Sequence, residues 1–286
     1  MPVVPTLFDP SAIMGGIAAH ALVTARFTEI AALRDRPGPD GSPALPPRFL
    51  RHADEQTVVG MHAVLAALAA CPEPRPDMAR CAVVSASCQA GRMAAARTLV
   101  QFHDQGAVGV SPHVVPQCSL HSIAGAVSVA LGMHGPHLGV GGGADSLAEG
   151  LVAALALMQA CRGGADPLPG VWLVATEWEE EPALDTQGVP EGDPLCRALA
   201  MLLVAGHDTD LELDLRGPAT GRVRPREPRR RGSGVAEFAR AMTMCRDGTA
   251  LVSWALDCPW PGAVRVSRRR GVPAIMPSTG LRREAA

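Results

Sequence analysis

Three consecutive glycines, Gly141 to Gly143, lie between a short apolar run and an apolar helix, and this junction is the best candidate for chemistry. The run Leu138 to Val140 is predicted to be a strand, and a helix is predicted to begin at Ser146. A residue at the first turn of a helix faces backbone N–H groups and the positive end of the helix dipole, both of which favour negative charge. Enzymes place nucleophiles at such turns.

One interpretation of the junction is a serine hydrolase with Ser146 as nucleophile. Asp185 and His207 follow it in the chain and are available as acid and base, although their spacing gives no support. The sequence GADSLAEG lacks the G-x-S-x-G turn, because Ala144 and Ala148 occupy the two glycine positions. The hydrolase therefore remains the weaker interpretation.

A purely structural interpretation of the same residues is that Asp145 and Ser146 cap the new helix. Glu149 follows Ser146 by three residues and completes a capping-box pattern, a feature worth about 1 kcal/mol. The helix itself is well predicted, because its apolar residues recur at helical spacing. They are Leu147, Leu151, Ala154, Leu155 and Met158.

Metal binding is not expected, although four histidines lie close to the junction: His113, His121, His134 and His137. No pair of them shares a helical face with a carboxylate, and Gly135-Pro136 makes a turn between the last two. The acidic stretch Glu177 to Glu181 lacks the spacing of a calcium loop and is predicted to be exposed. No metal and no cofactor is predicted.

Composition excludes several functional classes. The 286 residues are 47% hydrophobic and 19% charged, which is typical of a globular chain, and the net charge of −2 does not favour nucleic acid or membrane surfaces. The sequence contains no Lys, which excludes a lysine Schiff base. Eight cysteines show no paired spacing, and neither a signal peptide nor a membrane span is recognisable, so a reduced, cytoplasmic protein is expected.

A basic stretch, Arg222 to Arg231, interrupts the chain and is predicted to be a solvated linker. Together with Arg268 to Arg270 it could instead meet an acidic protein surface or a nucleic acid. Aromatic residues make up only 3% of the chain, so base stacking is disfavoured and no nucleic acid partner is predicted.

Alternating strands and helices indicate an α/β fold with a mostly parallel sheet covered by helices. Strands are predicted near Cys81, Leu138 and Val171, and a helix at Ala12 to Leu33. Other helices are predicted at 54–70, 92–102 and 235–245, an antiparallel hairpin at 197–217, and a trailing hairpin at 249–267. These elements divide the chain into three predicted segments: a domain at 1–216, a linker at 217–234, and a helix-hairpin segment with a basic tail at 235–286.

From Pro47 to Leu215 the sequence resembles the N-terminal half of a beta-ketoacyl synthase, which has the thiolase-like fold. PRFLRHADEQTVVGMHAVLAALAA is similar to that family's Arg/Asp segment and first helix, and VSPHVVPQCSLHSIAGAVSVALGMHGPHLGV is similar to its central signature. GGGADSLAEGLVAA stands where the family has its active-site Cys elbow. The matching signature positions are Ser111, Pro112, Pro116, Ala124, Gly125, Leu131, Gly132, Gly135 and Pro136.

The resemblance also implies that catalytic parts are missing. The family's acylated Cys corresponds to Ala144, or to Gly143 or Asp145 with a shift of one residue, and none of these can form an acyl-enzyme through a thiolate. The family's two histidines belong to a C-terminal half for which this chain has no counterpart, and its last His is His207. No catalytic residue is therefore predicted.

Losses of this kind occur in chain-length factors, the partners of active ketosynthases, and short ketosynthase-like proteins also accompany aryl-polyene-type synthases. The resemblance thus implies a non-catalytic subunit in fatty-acid or polyketide-type synthesis. Its partners would be an active ketosynthase or a second copy of itself, and an acyl carrier protein. The alternatives are an acyl-thioester enzyme using Ser146 and a self-associating or carrier-binding structural protein.

The same resemblance implies two sets of site residues. The acyl channel would be lined by Gly142, Gly143, Ala144 and Met133. The family dimerises through the strand and helix beside the elbow, which corresponds here to the nearly uncharged segment Ser111 to Val140. The partner-facing residues within it would be Val114, Gln117, Ser119, Ile123 and Val140.

Overall fold

One sheet with helices on both faces accounts for the architecture. The computed structural model describes residues 14–162, 166–205, 209–216, 234–247, 253–259 and 262–269. Within these ranges the strands are β1 Met14–Arg26, β2 Ala82–Cys88, β3 His137–Gly142, β4 Val171–Trp178, β5 Leu195–Val204, β6 Leu211–Arg216, β7 Ser253–Asp257 and β8 Ala263–Arg268. The helices are α1 Phe27–Leu33, α2 Glu55–Ala69, α3 Arg92–Gln105, α4 Val114–Gln117, α5 Ser122–Leu131, α6 Ser146–Arg162 and α7 Gly234–Asp247.

The strand order across the sheet is β3-β2-β4-β5-β1-β6-β8-β7. Only β2 with β3 and β2 with β4 run parallel, while the remaining neighbours are antiparallel. The α/β class is therefore confirmed, but the sheet is mixed rather than mostly parallel. The reason is that β1, β5 and the last three strands extend the small parallel unit with antiparallel neighbours.

The segment Ala12 to Leu33 is predicted to be helical, but its described part, from Met14 on, is a long strand followed by a short helix. β1 pairs with β5 from Gly16 to Arg26 and with β6 over its first residues, so it is an interior strand. Helix α1 follows directly at Phe27. The prediction was wrong because small apolar residues such as those of GGIAAHALV do not separate a buried strand from a helix by periodicity.

The predicted pairing of the two runs in 197–217 is also corrected. Both runs are strands, β5 and β6, but β1 lies between them and pairs with each. The trailing hairpin is confirmed, since β7 and β8 pair antiparallel from Ser253 to Ser267. β8 pairs in turn with β6, so this hairpin continues the same sheet. The proposed linker 217–234, apart from Gly234 in α7, and the tail from 270 lie outside the described residues.

Two apolar cores lie on opposite faces of the sheet. Helices α6 and α7 cover one face, where Leu151, Leu155 and Phe238 are fully buried. Helices α1, α2 and α5 cover the other, where Trp172 is fully buried. Alternate residues of β2 and β4 point to opposite faces, and both faces are covered, which is why these strands are apolar runs rather than alternating ones.

Helix α6 packs closely on the sheet because Gly150 allows it. A Cβ atom at Gly150 would lie 2.4 Å from the Cβ atom of Ala86 on β2. The helix therefore approaches the backbone of β2 and begins at the end of the parallel strands. This contact fixes the position of the glycine junction at the mouth of α6. No helix among the described residues is both long and apolar enough to cross a bilayer.

Candidate functional site

The glycine junction forms a sharp elbow between β3 and α6. Gly141 and Gly142 are the last residues of β3 and have φ angles of 95° and 110°, which residues with a side chain rarely adopt. A Cβ atom at Gly141 would lie 2.7 Å from Oγ of Ser146, so glycine is required there. Gly143 has no positive φ angle, and a Cβ atom there would meet no other atom within 4 Å. Gly142, Gly143 and Ala144 are exposed, and α6 begins two residues later.

Ser146 does not present a nucleophile to solvent. Its side chain is buried, and its Oγ accepts a hydrogen bond from the backbone N–H of Gly142 at 3.1 Å. The hydroxyl lies within hydrogen-bond reach of the backbone oxygens of Ser87, at 3.1 Å, and of Gly143. The helix begins at Ser146 itself, so this hydroxyl ties the elbow to the end of β2 rather than acting as a free cap.

A thiol lies beside the elbow that the sequence did not indicate. Cys88 ends β2 and is directly paired with Gly142 in the parallel ladder. Strand alternation directs its side chain to the face of Ala86, where α6 packs. Cys88 as a whole residue is 7% exposed, and its backbone oxygen accepts a hydrogen bond of 2.7 Å from Nε2 of Gln56.

The signal that could have found Cys88 is topological. In α/β sheets, sites form outside the carboxyl ends of parallel strands, and β2, β3 and β4 all end at the same edge. The residues at that edge are Cys88, Gly142 and Glu177. Although Cys88 and Gly142 are far apart in the sequence, parallel pairing makes them neighbours, so a search limited to sequence neighbours of Ala144 misses the thiol.

Met133 is not part of this site. It is buried in the core formed with α2 and α5, at 5% exposure. The next residue, His134, donates its backbone N–H to the carbonyl of Ala79, just before β2 begins, whereas the elbow lies beyond the end of β2. A strand of six residues separates the two ends by roughly 17 Å. The structure therefore does not bring Met133 to Gly142, Gly143 and Ala144.

The residues predicted to face a partner are mostly accessible. Val114, Gln117, Ser119 and Val140 are half-buried, but Ile123 is 3% exposed and packs against α2 beside Gly60. Ile123 therefore belongs to the core and is unavailable to another chain. Strand β3, which carries Val140, is the edge of the sheet and pairs only with β2 among the described residues.

Exposed apolar side chains concentrate in this part of the chain. Of the nine large apolar side chains that the structure describes as exposed, six fall between residues 99 and 138. They are Leu99, Phe102, Val108, Val115, Val129 and Leu138. Of these, Leu138 lies on β3 and Val129 on the neighbouring helix α5, and exposed apolar side chains beside a sheet edge are typical of a surface that another protein covers.

Two histidines at the end of β3 opposite the elbow contact each other. Nδ1 of His137 lies 2.9 Å from Nε2 of His121, and burial together with His137 lowers the pKa of His121. His113 and His134 are exposed. In the part of the chain that the structure describes, no three His, Cys, Asp or Glu side chains come together as a metal site.

The acidic stretch Glu177 to Glu181, predicted to be exposed, begins inside β4 and is only partly an exposed loop. Glu177 lies in β4, is buried, and accepts a hydrogen bond of 3.4 Å from the backbone N–H of Ala236 at the start of α7. Burial raises the pKa of Glu177. Glu179 forms an ion pair with Arg197, and Oε1 of Glu181 lies 2.5 Å from Nη1 of Arg92. These carboxylates therefore hold elements together.

No protein-family profile matches the chain, and no curated protein resembles it in sequence. Solved structures do resemble it. A structure of the ketosynthase ApeO in complex with its chain length factor ApeC, from Xenorhabdus doucetiae, aligns with a TM-score of 0.54 over 89% of this chain and 99% of that chain, at 18% identity.

Two further structures align at lower scores. The ishigamide ketosynthase/chain length factor gives a TM-score of 0.46 at 17% identity, over 71% of this chain and 67% of that chain. A beta-ketoacyl synthase from Burkholderia phymatum STM815 gives a TM-score of 0.45 at 16% identity, over 83% of this chain and 71% of that chain. The first alignment spans nearly all of both chains and supports the fold. This chain has the thiolase-like fold of ketosynthase and chain length factor structures, with the glycine elbow at the mouth of α6.

Proposed function

We propose that this protein is a non-catalytic, chain-length-factor-like subunit that pairs with an active ketosynthase in polyketide or fatty-acid-type synthesis, such as that of aryl polyenes. The observation that carries the proposal is the elbow. Its exposed residues, Gly142, Gly143 and Ala144, have neither a thiol nor a hydroxyl group. The hydroxyl of Ser146, the nearest in sequence, is buried and bonded to backbone.

The outer edge of β3, which pairs with no further strand in the described ranges, supports association with another chain. An edge strand presents unsatisfied backbone N–H and C=O groups, and proteins usually charge, shorten or cover such edges. β3 contains no charged carboxylate or Arg, and Leu138 on it is exposed. We infer that an active ketosynthase covers this edge, with a second copy of this chain as the alternative partner.

The elbow would then contribute to the wall of the partner's acyl channel. Gly142, Gly143 and Ala144 lie together at the mouth of α6 and have little side-chain volume, so they leave room for an acyl chain. The growing chain would be delivered by an acyl carrier protein. Catalysis would remain with the ketosynthase subunit.

The decisive experiment co-expresses the chain with the complete ketosynthase encoded nearest to it in its genome. We expect a stable heterodimer by light scattering. Condensation of acyl and malonyl carrier-protein thioesters is expected from the pair and not from this chain alone. Robust turnover by the isolated chain would contradict the proposal. A homodimer that does not bind the ketosynthase would favour the alternative of a self-associating structural protein.

An acyl-thioester enzyme remains the competing function because Cys88 lies beside the elbow. Incubation with an activated acyl thioester, followed by peptide mass analysis, separates the two functions. The proposed function predicts no acyl adduct on Cys88 or Ser146. An adduct on Cys88 that disappears in Cys88→Ala would show that this residue, at the end of β2, is a nucleophile. It would overturn the assignment of the protein as non-catalytic.

The edge of β3 offers a direct test of the interface. Leu138→Arg places a charge on the exposed edge, and we expect it to weaken association with the ketosynthase by at least about 30-fold, or roughly 2 kcal/mol. Surface plasmon resonance of the two purified subunits measures the change.

Leu22→Arg is the matched control, because Leu22 is a comparably exposed leucine on β1, at 42% against 36% for Leu138. It should leave association unchanged. Equal losses in both variants, or none in either, would place the interface elsewhere.

A further inference from the structure

A polar cavity outside the elbow is lined by several cationic side chains. It has a volume of about 380 Å³ and lies between the loop before α2, helix α3 and the region of α4. Arg34, Arg51, His52 and Arg97 line it, together with a single carboxylate, that of Asp54. No residue of the elbow contributes to its wall. The volume falls within the usual range of small-molecule sites.

The loop that carries Arg51 and His52 is held in place by Arg34. Nη1 of Arg34 donates hydrogen bonds to the backbone oxygens of Leu50, at 2.8 Å, and Ala53, at 2.5 Å. The side chain is 22% exposed, so these bonds are partly shielded from water. One wall of the cavity is therefore built before any ligand arrives, which lowers the entropic cost of binding.

The second wall is fixed by Glu55. This buried carboxylate accepts a hydrogen bond of 2.8 Å from Nη2 of Arg97 on α3 and lies 3.8 Å from Nη2 of Arg34. One carboxylate is thus shared by two guanidinium groups, each of which has five N–H donors. Among the described contacts Arg97 uses only Nη2 for Glu55, so its other N–H donors are available to a ligand in the cavity that it lines.

Positive charge exceeds negative charge in this cavity. Oδ1 of Asp54 accepts a hydrogen bond of 2.9 Å from the backbone N–H of Thr57, so its charge is directed at the first turn of α2. Arg51 is exposed and forms no ion pair with any described carboxylate. Three guanidinium groups therefore stand against Asp54 and Glu55. Neutral donors, among them Ser111 and Gln117, line the opposite side.

We propose that this cavity binds the phosphate group of a small phosphorylated ligand, held by the guanidinium groups of Arg34, Arg51 and Arg97. Guanidinium groups are suited to this role because their planar N–H pairs match the geometry of phosphate oxygens.

Isothermal titration calorimetry of the full chain with pyrophosphate and with inorganic phosphate tests the proposal. We expect binding of at least one probe with a Kd below about 1 mM. No binding of either probe at this concentration would overturn the site.

Two variants change the charge of the cavity in opposite directions. Arg51→Ala removes a side chain without a described ion pair and should weaken binding by about tenfold or more, while Asp54→Asn removes the opposing charge and should tighten it severalfold. Arg36→Ala, an exposed arginine outside the cavity, is the control and should bind as the parent does. Equal affinity in Arg51→Ala and the parent would overturn the proposal, as would weaker binding in Asp54→Asn. These titrations use the isolated chain, so their outcome is independent of the ketosynthase experiment.

Discussion

Gly150→Val is expected to destabilise the protein by about 3 kcal/mol, because it separates α6 from the sheet. A Cβ atom at this position would lie 2.4 Å from Cβ of Ala86 and 3.0 Å from Cδ1 of Leu173. Real Cβ atoms essentially never approach another carbon to 2.4 Å, so the helix must shift away from β2. The expected loss is at the upper end of the range for overpacked cores. Urea unfolding followed by circular dichroism measures it.

Two further variants show whether the close contact is the cause. Ala160→Val places the same side chain at an exposed position of α6 and should cost only about 0.5 kcal/mol, the difference in helix propensity. Adding Ala86→Gly to Gly150→Val removes the opposing methyl group and should restore part of the stability. A Gly150→Val protein as stable as the parent would mean that α6 does not pack against β2 as described.

Gly150→Val should also disturb the elbow. If α6 shifts, its first residue Ser146 shifts as well, and the hydrogen bond from the N–H of Gly142 to its hydroxyl is disturbed. Gly150 thus positions the elbow although it is one turn away from it. A glycine in the middle of a helix normally costs stability relative to alanine, so its presence here is explained by the contact it allows.

The elbow was predictable from the sequence because its signals are local. Glycines at Gly141 and Gly142, an apolar run before them and the helical spacing after Ser146 are all read within about twenty residues. The structure confirms the strand, the helix and the thiolase-like fold that the resemblance implied. These are short-range features, and they were enough to locate the candidate site.

The parts that were missed depend on contacts between distant segments. The sequence predicts a helix over β1 because its residues are small and apolar, and only pairing with β5 and β6 makes it a strand. Cys88 was overlooked because its proximity to Gly142 exists only in the parallel ladder. Ile123 and Met133 were assigned to a surface and a channel, whereas tertiary packing buries both. Periodicity in one chain segment carries no information on which segment covers it.

Asp54 makes the stability of the protein depend on pH in an unusual direction. Burial raises the pKa of this carboxyl from its ordinary value of 3.8 to about 6, against the smaller opposing effect of its hydrogen bonds with Thr57. The folded state therefore binds a proton that the unfolded state has already lost. The stabilisation is fully present below about pH 4 and is lost as pH rises through 6, and a shift of this size corresponds to about 3 kcal/mol.

Asp54→Asn is expected to remove this loss of stability as pH rises through 6. Asparagine is as good an N-cap as aspartate, so it can still accept the hydrogen bond at the start of α2 without a buried charge. At pH 7.5 the variant should be more stable than the parent by up to about 3 kcal/mol, and at pH 4 the two should be nearly equal. Urea unfolding at intervals from pH 4 to 8 measures both curves.

The difference between the two curves isolates Asp54, because Glu177 and His20, whose pKa values are also shifted by burial, contribute equally to both. Asp40→Asn, at an exposed position, is the control for removing a negative charge from the protein. A lower stability of Asp54→Asn than of the parent at pH 7.5 would mean that the charged carboxylate is favourable where it lies. In that case Asp54 would be paired with the cavity's guanidinium groups rather than with the first turn of α2, and the excess positive charge of the cavity would be smaller than its geometry indicates.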